Sequence, residues 1–154
     1  MADTETPAKE PEFFDLIETS SVDPDDIENG KWFTGTDITG QPDQKWRMKL
    51  RSFASKASSD ADRTLALKYR AFADKDGKVP PDKIIEQVNE RLARGVIVDW
   101  EKIGMDGKAL PCTPENALRL ISDPRMMRVR VGVFQVAGNL DVFRAKVLEE
   151  IEGN

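Results

Sequence analysis

The sequence predicts an α+β protein, mostly α: a short β-hairpin followed by a bundle of about five helices. Three observations predict it. In KWRMKLRS, Trp46, Met48 and Leu50 alternate with Arg47, Lys49 and Arg51, a period of two that puts apolar side chains on one face of a strand and cations on the other. Beyond Ser52 the apolar spacing lengthens to that of helices and stays there. Charge is also uneven: residues 1–30 hold ten acids and one base, −9 within a chain of net charge −5, which leaves +4 for the rest. With few apolar side chains and self-repelling carboxylates, that acidic segment is expected to be a disordered tail, and residues 31–154 a single helical domain with an N-terminal hairpin.

Within the tail, EFFDLIE is the exception. Phe13, Phe14, Leu16 and Ile17 would share a one-turn apolar face, which suits packing on the chain's own domain or docking on a partner. The hairpin is expected over residues 31–52. KWFTGTDI is rich in aromatic and β-favouring residues, KWRMKLRS is the second strand, and Gly40 and Pro42 in TGQPDQ supply the reversal. Two strands alone are marginal, so Trp32, Phe33 and Trp46 need helices or another subunit to lean on.

SSDADRTLALKYRAFA opens with cap-type residues, and Ala61, Leu65, Tyr69 and Phe72 follow at helical spacing. It stops at DKDGK. With Gly77 in the sharp-turn position of an EF-hand loop, the first and twelfth ligands would be Phe72 and Lys83, so this is a turn and not a calcium site. The next helix begins at PPDK and carries Ile84, Ile85, Val88, Leu92, Val96 and Ile97 as a continuous stripe. Gly95 sits late in it, either ending the helix or admitting a close neighbour, and VIVDW fits helix or strand. An Asp106-Gly107 turn, an extended stretch, and Thr113 as N-cap with Pro114 in the first turn lead into PENALRLI. DPRMMRVRVGVFQVAG and NLDVFRAKVLEEIEG read as the last two helices, the final one capped by Asn139 with Leu140, Phe143, Val147 and Ile151 inward.

Composition removes many functions. The chain has 154 residues, one cysteine and no histidine, so His- or Cys-based metal sites and imidazole catalysis cannot be assembled from it. No apolar run approaches the roughly 20 residues of a membrane span, and MADTETPAKEPE is acidic where a signal peptide is basic and then apolar. The expectation is a cytoplasmic protein that is not an enzyme, with no catalytic residues, no metal and no cofactor. Trp100 has two readings, a core anchor at a corner or part of a ligand site. Cys112, just before a capped helix, is where a thiol could have its pKa lowered, but only Lys108 lies nearby in sequence as a cation. Arg47, Lys49 and Arg51, with Lys45, Lys56 and Trp46, form a basic ribbon that reads as a solvated strand face or as a track for a phosphate backbone.

The hairpin with TGQP at its turn, the two helices, VDWEKIGMDGKALPCTPENALRLISDPR and the ending NLDVFRAKVLEEIEGN resemble the tail assembly chaperones of long-tailed bacteriophages, over residues 32–154. The resemblance implies a protein of the host cytoplasm that consumes no nucleotide. Many copies would bind the helical tape measure protein and keep it soluble until tail tube protein polymerises around it. It also implies self-association. The apolar client would be held through Trp32, Phe33, Trp46, Met48 and Leu50, with Phe13, Phe14, Leu16 and Ile17 as a further docking motif. Two alternatives stand beside this: a minor tail or tail completion protein of the virion, and a small nucleic-acid-binding protein using the basic ribbon.

Overall fold

A computed structural model of the chain describes residues 12–145. Two short helices open it. In α1 (Leu16–Ser20) the Asp15 carboxylate accepts from the Ile17 and Glu18 N–H groups, and in α2 (Pro24–Asn29) Asp23 does the same for Asp25 and Asp26, with Pro24 in the first turn. The second helix corrects the expectation of a disordered tail up to residue 30. Ile27 is buried in the core, Val22 bridges Arg144, and the Asp23 N–H donates to the Phe143 carbonyl. One buried isoleucine, a local cap and a proline at the first turn offset the repulsion that composition alone predicts. Residues 1–11 lie outside the described residues.

The hairpin is present. Strands β1 (Lys31–Thr34) and β2 (Arg47–Leu50) pair antiparallel, Lys31 opposite Leu50 and Thr34 opposite Arg47. Their connection differs from a simple reversal: it contains α3 (Gly35–Thr39), so the second half of KWFTGTDI is helical. The Thr34 hydroxyl accepts from the Asp37 N–H while the Asp37 carboxylate accepts from the Thr34 N–H, a reciprocal cap that outweighs the β preference of the segment.

The described helices continue with α4 (Lys56–Tyr69), capped by Ser55, and α5 (Pro81–Arg91). A π-helical turn, Leu92–Val96, then turns the chain from α5 into β3 (Ile97–Glu101), which pairs with β2 and makes β2 the central strand. VIVDW is therefore largely strand. Gly95 is where α4 comes close: a Cβ there would meet Ser58 and Ala61. Strands β4 (Gly104–Met105) and β5 (Lys108–Ala109) form a second hairpin, with Asp106 and Gly107 both at positive φ (53° and 79°), the conformation a two-residue turn of this hand requires.

As the sequence predicts, Thr113 caps α6 (Pro114–Ser122) and Pro114 occupies its first turn. A 3-10 turn, Pro124–Met126, precedes α7 (Met127–Ala137). Asn139 is a cap, but of a 3-10 turn, Leu140–Phe143, in place of the start of a long helix; Arg144 then leaves it to pair with Val22. Val147 and Ile151 lie outside the described residues.

The apolar faces of the sheet and of α6 and α7 meet in one core. Met48, Leu50, Leu92, Val96, Ile121, Val133 and Phe143 are at most 1% exposed, and Phe33 meets Phe143 edge to face at 5.8 Å. Trp100 is in this core, paired with Met48 across the sheet, and its indole N–H donates to the Leu110 carbonyl at 2.7 Å. Between α4 and α5 the buried Glu90 carboxylate accepts from Lys68 and Tyr69, each at 2.6 Å. Burial alone would raise its pKa, but those two bonds win and hold it below the usual carboxylate range.

The acidic segment supplies a direct test of its place in the fold. Deleting residues 1–20 should leave thermal unfolding cooperative, with a midpoint within a few degrees of the intact chain, because every described side chain removed is exposed. Ile27→Ala should cost about 2–3 kcal/mol, toward the lower end for a buried isoleucine. A urea midpoint for Ile27→Ala equal to that of the parent would return α2 to the status of a tail.

Candidate partner-binding groove

The five residues expected to hold a client do not form a surface. Phe33, Met48 and Leu50 point into the core, Met48 and Leu50 with no exposure at all, so nothing can touch them without opening the sheet. This follows from period two: the face that is apolar on β2 is the face the helices cover. Trp32 is half-buried, and the Arg47 guanidinium lies 4.7 Å from the centre of its ring. Trp46 is half-buried too, its indole N–H donating to Gln44 at 3.0 Å. It lines a cleft of about 380 Å³ together with Ile103, Met126, Lys102 and Arg128.

The two cations of β2 face carboxylates on β3: both Nε and Nη2 of Arg47 donate to Glu101, and Lys49 stands opposite Asp99. Arg51, just past the strand, donates to the main-chain carbonyl of Glu28 and keeps its charge. With Arg47 and Lys49 faced this way, the ribbon loses part of the potential that would attract a phosphate backbone. Cys112 is not an activated thiol. Burial, with Asp99 adding, pushes its pKa up to about 11, the opposite of what a cap position suggests, so it is protonated at neutral pH.

The exposed apolar surface lies elsewhere, between α5 and α7. Ile84 and Ile85 of α5 are about half exposed, as are Val131 and Phe134 of α7. They line a groove of about 430 Å³ with Val88, and a second hollow of about 310 Å³ continues it past Ile84, Val88 and Phe134 to Phe53. Phe53 is held edge-on to Phe134 at 5.1 Å, and the Arg91 guanidinium covers its other side at 4.5 Å. Arg91 is itself fixed by Ser58 and Asp62 of α4. Gln87, Gln135 and Arg130 complete the polar edge. An apolar floor with a polar rim between two helices is the geometry that accepts an amphipathic helix.

The sequence contains the signal for this groove, but it reads as something else. Ile84 and Ile85 belong to the stripe that continues through Val88 to Leu92 and Val96. From Leu92 onward that stripe is core, whereas Ile84 and Ile85 are about half exposed. In α7, Val129, Val131, Val133, Phe134 and Val136 surround the helix, more apolar positions than one buried face uses. A further outlying apolar group is EFFDLIE: Phe13, Phe14, Leu16 and Ile17 are each about 70% exposed or more, so the structure does not pack them on their own domain.

Among the described residues no cluster of side chains could hold a metal ion, and no helix is long and apolar enough to cross a membrane. What the fold defines is a small α+β scaffold presenting an apolar groove. A family model described as YdaY prophage protein matches residues 53–154, from just after β2 to the end of the chain. The chain belongs to this prophage protein family and is of phage origin. Neither the curated proteins nor the solved structures compared with it give a match.

Proposed function

We propose that this phage protein is a tail assembly chaperone, which binds the tape measure protein in the host cytoplasm and keeps it soluble until tail tube protein polymerises around it. The observation that carries the reading is the groove between α5 and α7. A tape measure protein is a long helix with apolar stripes, and a holdase for it needs an apolar floor for one face and a polar rim to stay soluble when empty. Ile84, Ile85, Val131 and Phe134 supply the floor, and Arg91, Gln87, Arg130 and Gln135 the rim. The groove takes over the role first expected of Trp32 and Trp46. Phage origin, the net charge of −5 and the resemblance of the region after Trp32 to tail assembly chaperones all support the same reading.

Co-expression with the tape measure protein of the same phage tests it. The wild-type chain should keep that protein in the soluble fraction, and a triple Arg47→Ser, Lys49→Ser, Arg51→Ser variant should retain most of the effect. An Ile84→Ser, Val131→Ser, Phe134→Ser variant that still unfolds cooperatively should lose most of it. Binding through apolar burial should change little from low to moderate salt, whereas phosphate contacts would weaken steeply. A tape measure protein that remains insoluble beside the wild-type chain would sink the proposal, and recovery of the chain in purified particles would favour a structural tail component.

A further inference from the structure

The cleft beside Trp46 is a second concave surface, and its chemistry differs from that of the α5–α7 groove. Its wall is formed by half-buried Trp46, Ile103, Met126 and Val129, and its lining includes Lys102, Arg125 and Arg128 with no acid among them. Carboxylates do stand nearby. Asp123 and Asp106 pair with Arg125, Glu101 pairs with Arg47, and Asp37 closes the α3 cap. Asp43 sits in the loop from α3 to β2, outside the lining. The side chains of Lys102 and Arg128 have no ion-pair or hydrogen-bond partner among the described residues. Lys102 also holds a left-handed φ of 60° in the sharp turn between β3 and β4. Glycine takes that conformation freely and lysine does not, so the turn gives up stability and keeps a cation at the cleft. From the loop between α3 and β2 come Gln44, whose carbonyl accepts from the Trp46 indole, and Gln41, whose side-chain amide has no partner among the described residues.

We propose that this cleft binds an acidic peptide segment of a partner protein. An aliphatic side chain of the segment lies on Ile103, Met126 and Val129, a carboxylate within two residues of it meets Lys102 and Arg128, and the main chain pairs with the Gln41 amide. Charge, floor and amide select this occupant. Two uncommitted cations with no acid in the lining favour an anion. The floor is aliphatic and thioether, which adapts to side chains of leucine, isoleucine or methionine shape; a nucleobase would find one ring, Trp46, where stacking needs a platform. A free side-chain amide beside the cations matches a peptide bond, which offers one donor and one acceptor. The inference goes beyond the chaperone reading and does not rest on it, since the cleft and the α5–α7 groove share no lining residue.

Selection from a library of random eight-residue peptides on the full chain is the test; such peptides are too short to hold a helix of their own and so disfavour the α5–α7 groove. Recovered sequences should be enriched in aspartate and glutamate within two residues of an aliphatic side chain. The best of them, synthesised with blocked ends, should move the Gln41, Ile103 and Val129 amide resonances, leave those of Ile84 and Ile85 in place, and bind more weakly as salt is raised. A Lys102→Glu, Arg128→Glu variant alters only exposed side chains and should fold as the parent does. It should bind that peptide about tenfold more weakly or worse, because two attractions become repulsions, and selection on it should recover lysine and arginine where the parent recovers acids. No enrichment of acids, resonance shifts confined to Ile84 and Ile85, or affinity unchanged by the charge reversal would each overturn the proposal. So would cleft resonances that respond to a thymidine oligonucleotide and not to the peptide, which would make the site one for nucleic acid, or that respond only to protein concentration, which would make the occupant a second copy.

Discussion

Trp100→Ala is expected to destabilise the protein by about 3–5 kcal/mol, the usual loss for truncating a buried large aromatic. The indole does two things at once. Its rings fill the core beside Met48, and its N–H holds the Leu110 carbonyl, which fastens the chain leaving the β4–β5 hairpin back against the sheet. The Leu110 N–H returns to the Ile103 carbonyl at 3.0 Å, so the hairpin base and the tryptophan brace one another just before Thr113 starts α6. Trp100→Phe separates the two contributions. It keeps most of the apolar volume and gives up the hydrogen bond, and should cost about 1–2 kcal/mol, the net worth of one buried bond plus a small void. Urea denaturation of both variants reads the result. A Trp100→Ala protein within about 1 kcal/mol of the parent would show that the indole does not anchor the corner, and would reopen its reading as part of a ligand site.

The parts legible in the sequence were those decided by local chemistry. The strand at Met48 and Leu50 follows from alternation, the start of α6 from Thr113 and Pro114, and the hairpin turn from Asp106 and Gly107, because cap and turn geometry depend on a few adjacent residues. What escaped depends on residues distant in sequence. α2 carries a local signal, Asp23 as cap with Pro24 after it and Ile27 on one face, but net charge over thirty residues hid it. The helix stands because Phe143 and Arg144, far along the chain, meet it. Likewise β3 follows a π turn that breaks the helical stripe after Leu92. No spacing rule finds that turn, since Val96 and Ile97 fit either period. The groove was legible as apolar residues and illegible as a surface. Whether Ile84 and Ile85 are core or rim depends on which elements pack over α5, which spacing along one helix does not tell. For the same reason Met48 and Leu50 read equally well as a binding surface and as core, and the fold buries them: alternation tells which side chains share a face, and only the helices decide which face is covered.

The second large effect is expected at Gly132, on the buried face of α7. There α3 crosses the helix with its main chain, and a Cβ on Gly132 would run into the carbonyl oxygen and carbonyl carbon of Ile38. Those atoms belong to the backbone of a helix held by the Thr34–Asp37 cap and cannot swing aside as a side chain could. Gly132→Ala gains about 1 kcal/mol of helix propensity. Against that, pushing α7 and α3 apart should cost at least the 3 kcal/mol or so at the upper end of ordinary overpacking, so destabilisation wins. Gly138→Ala is the matched control. Its Cβ would meet Phe134 and Phe53 at 3.5 Å or more, ordinary contact, and its φ of −89° suits any residue, so stability should hold or rise by less than about 1 kcal/mol. The displacement at Gly132 would shift α7, which carries Val131 and Phe134, and so reshape the groove. Client solubilisation should therefore weaken in Gly132→Ala at temperatures where the variant is still folded, and persist in Gly138→Ala. Thermal melts of both variants, followed by the same co-expression measurements, decide the point. A Gly132→Ala protein as stable as the parent would mean that α3 and α7 do not pack this closely.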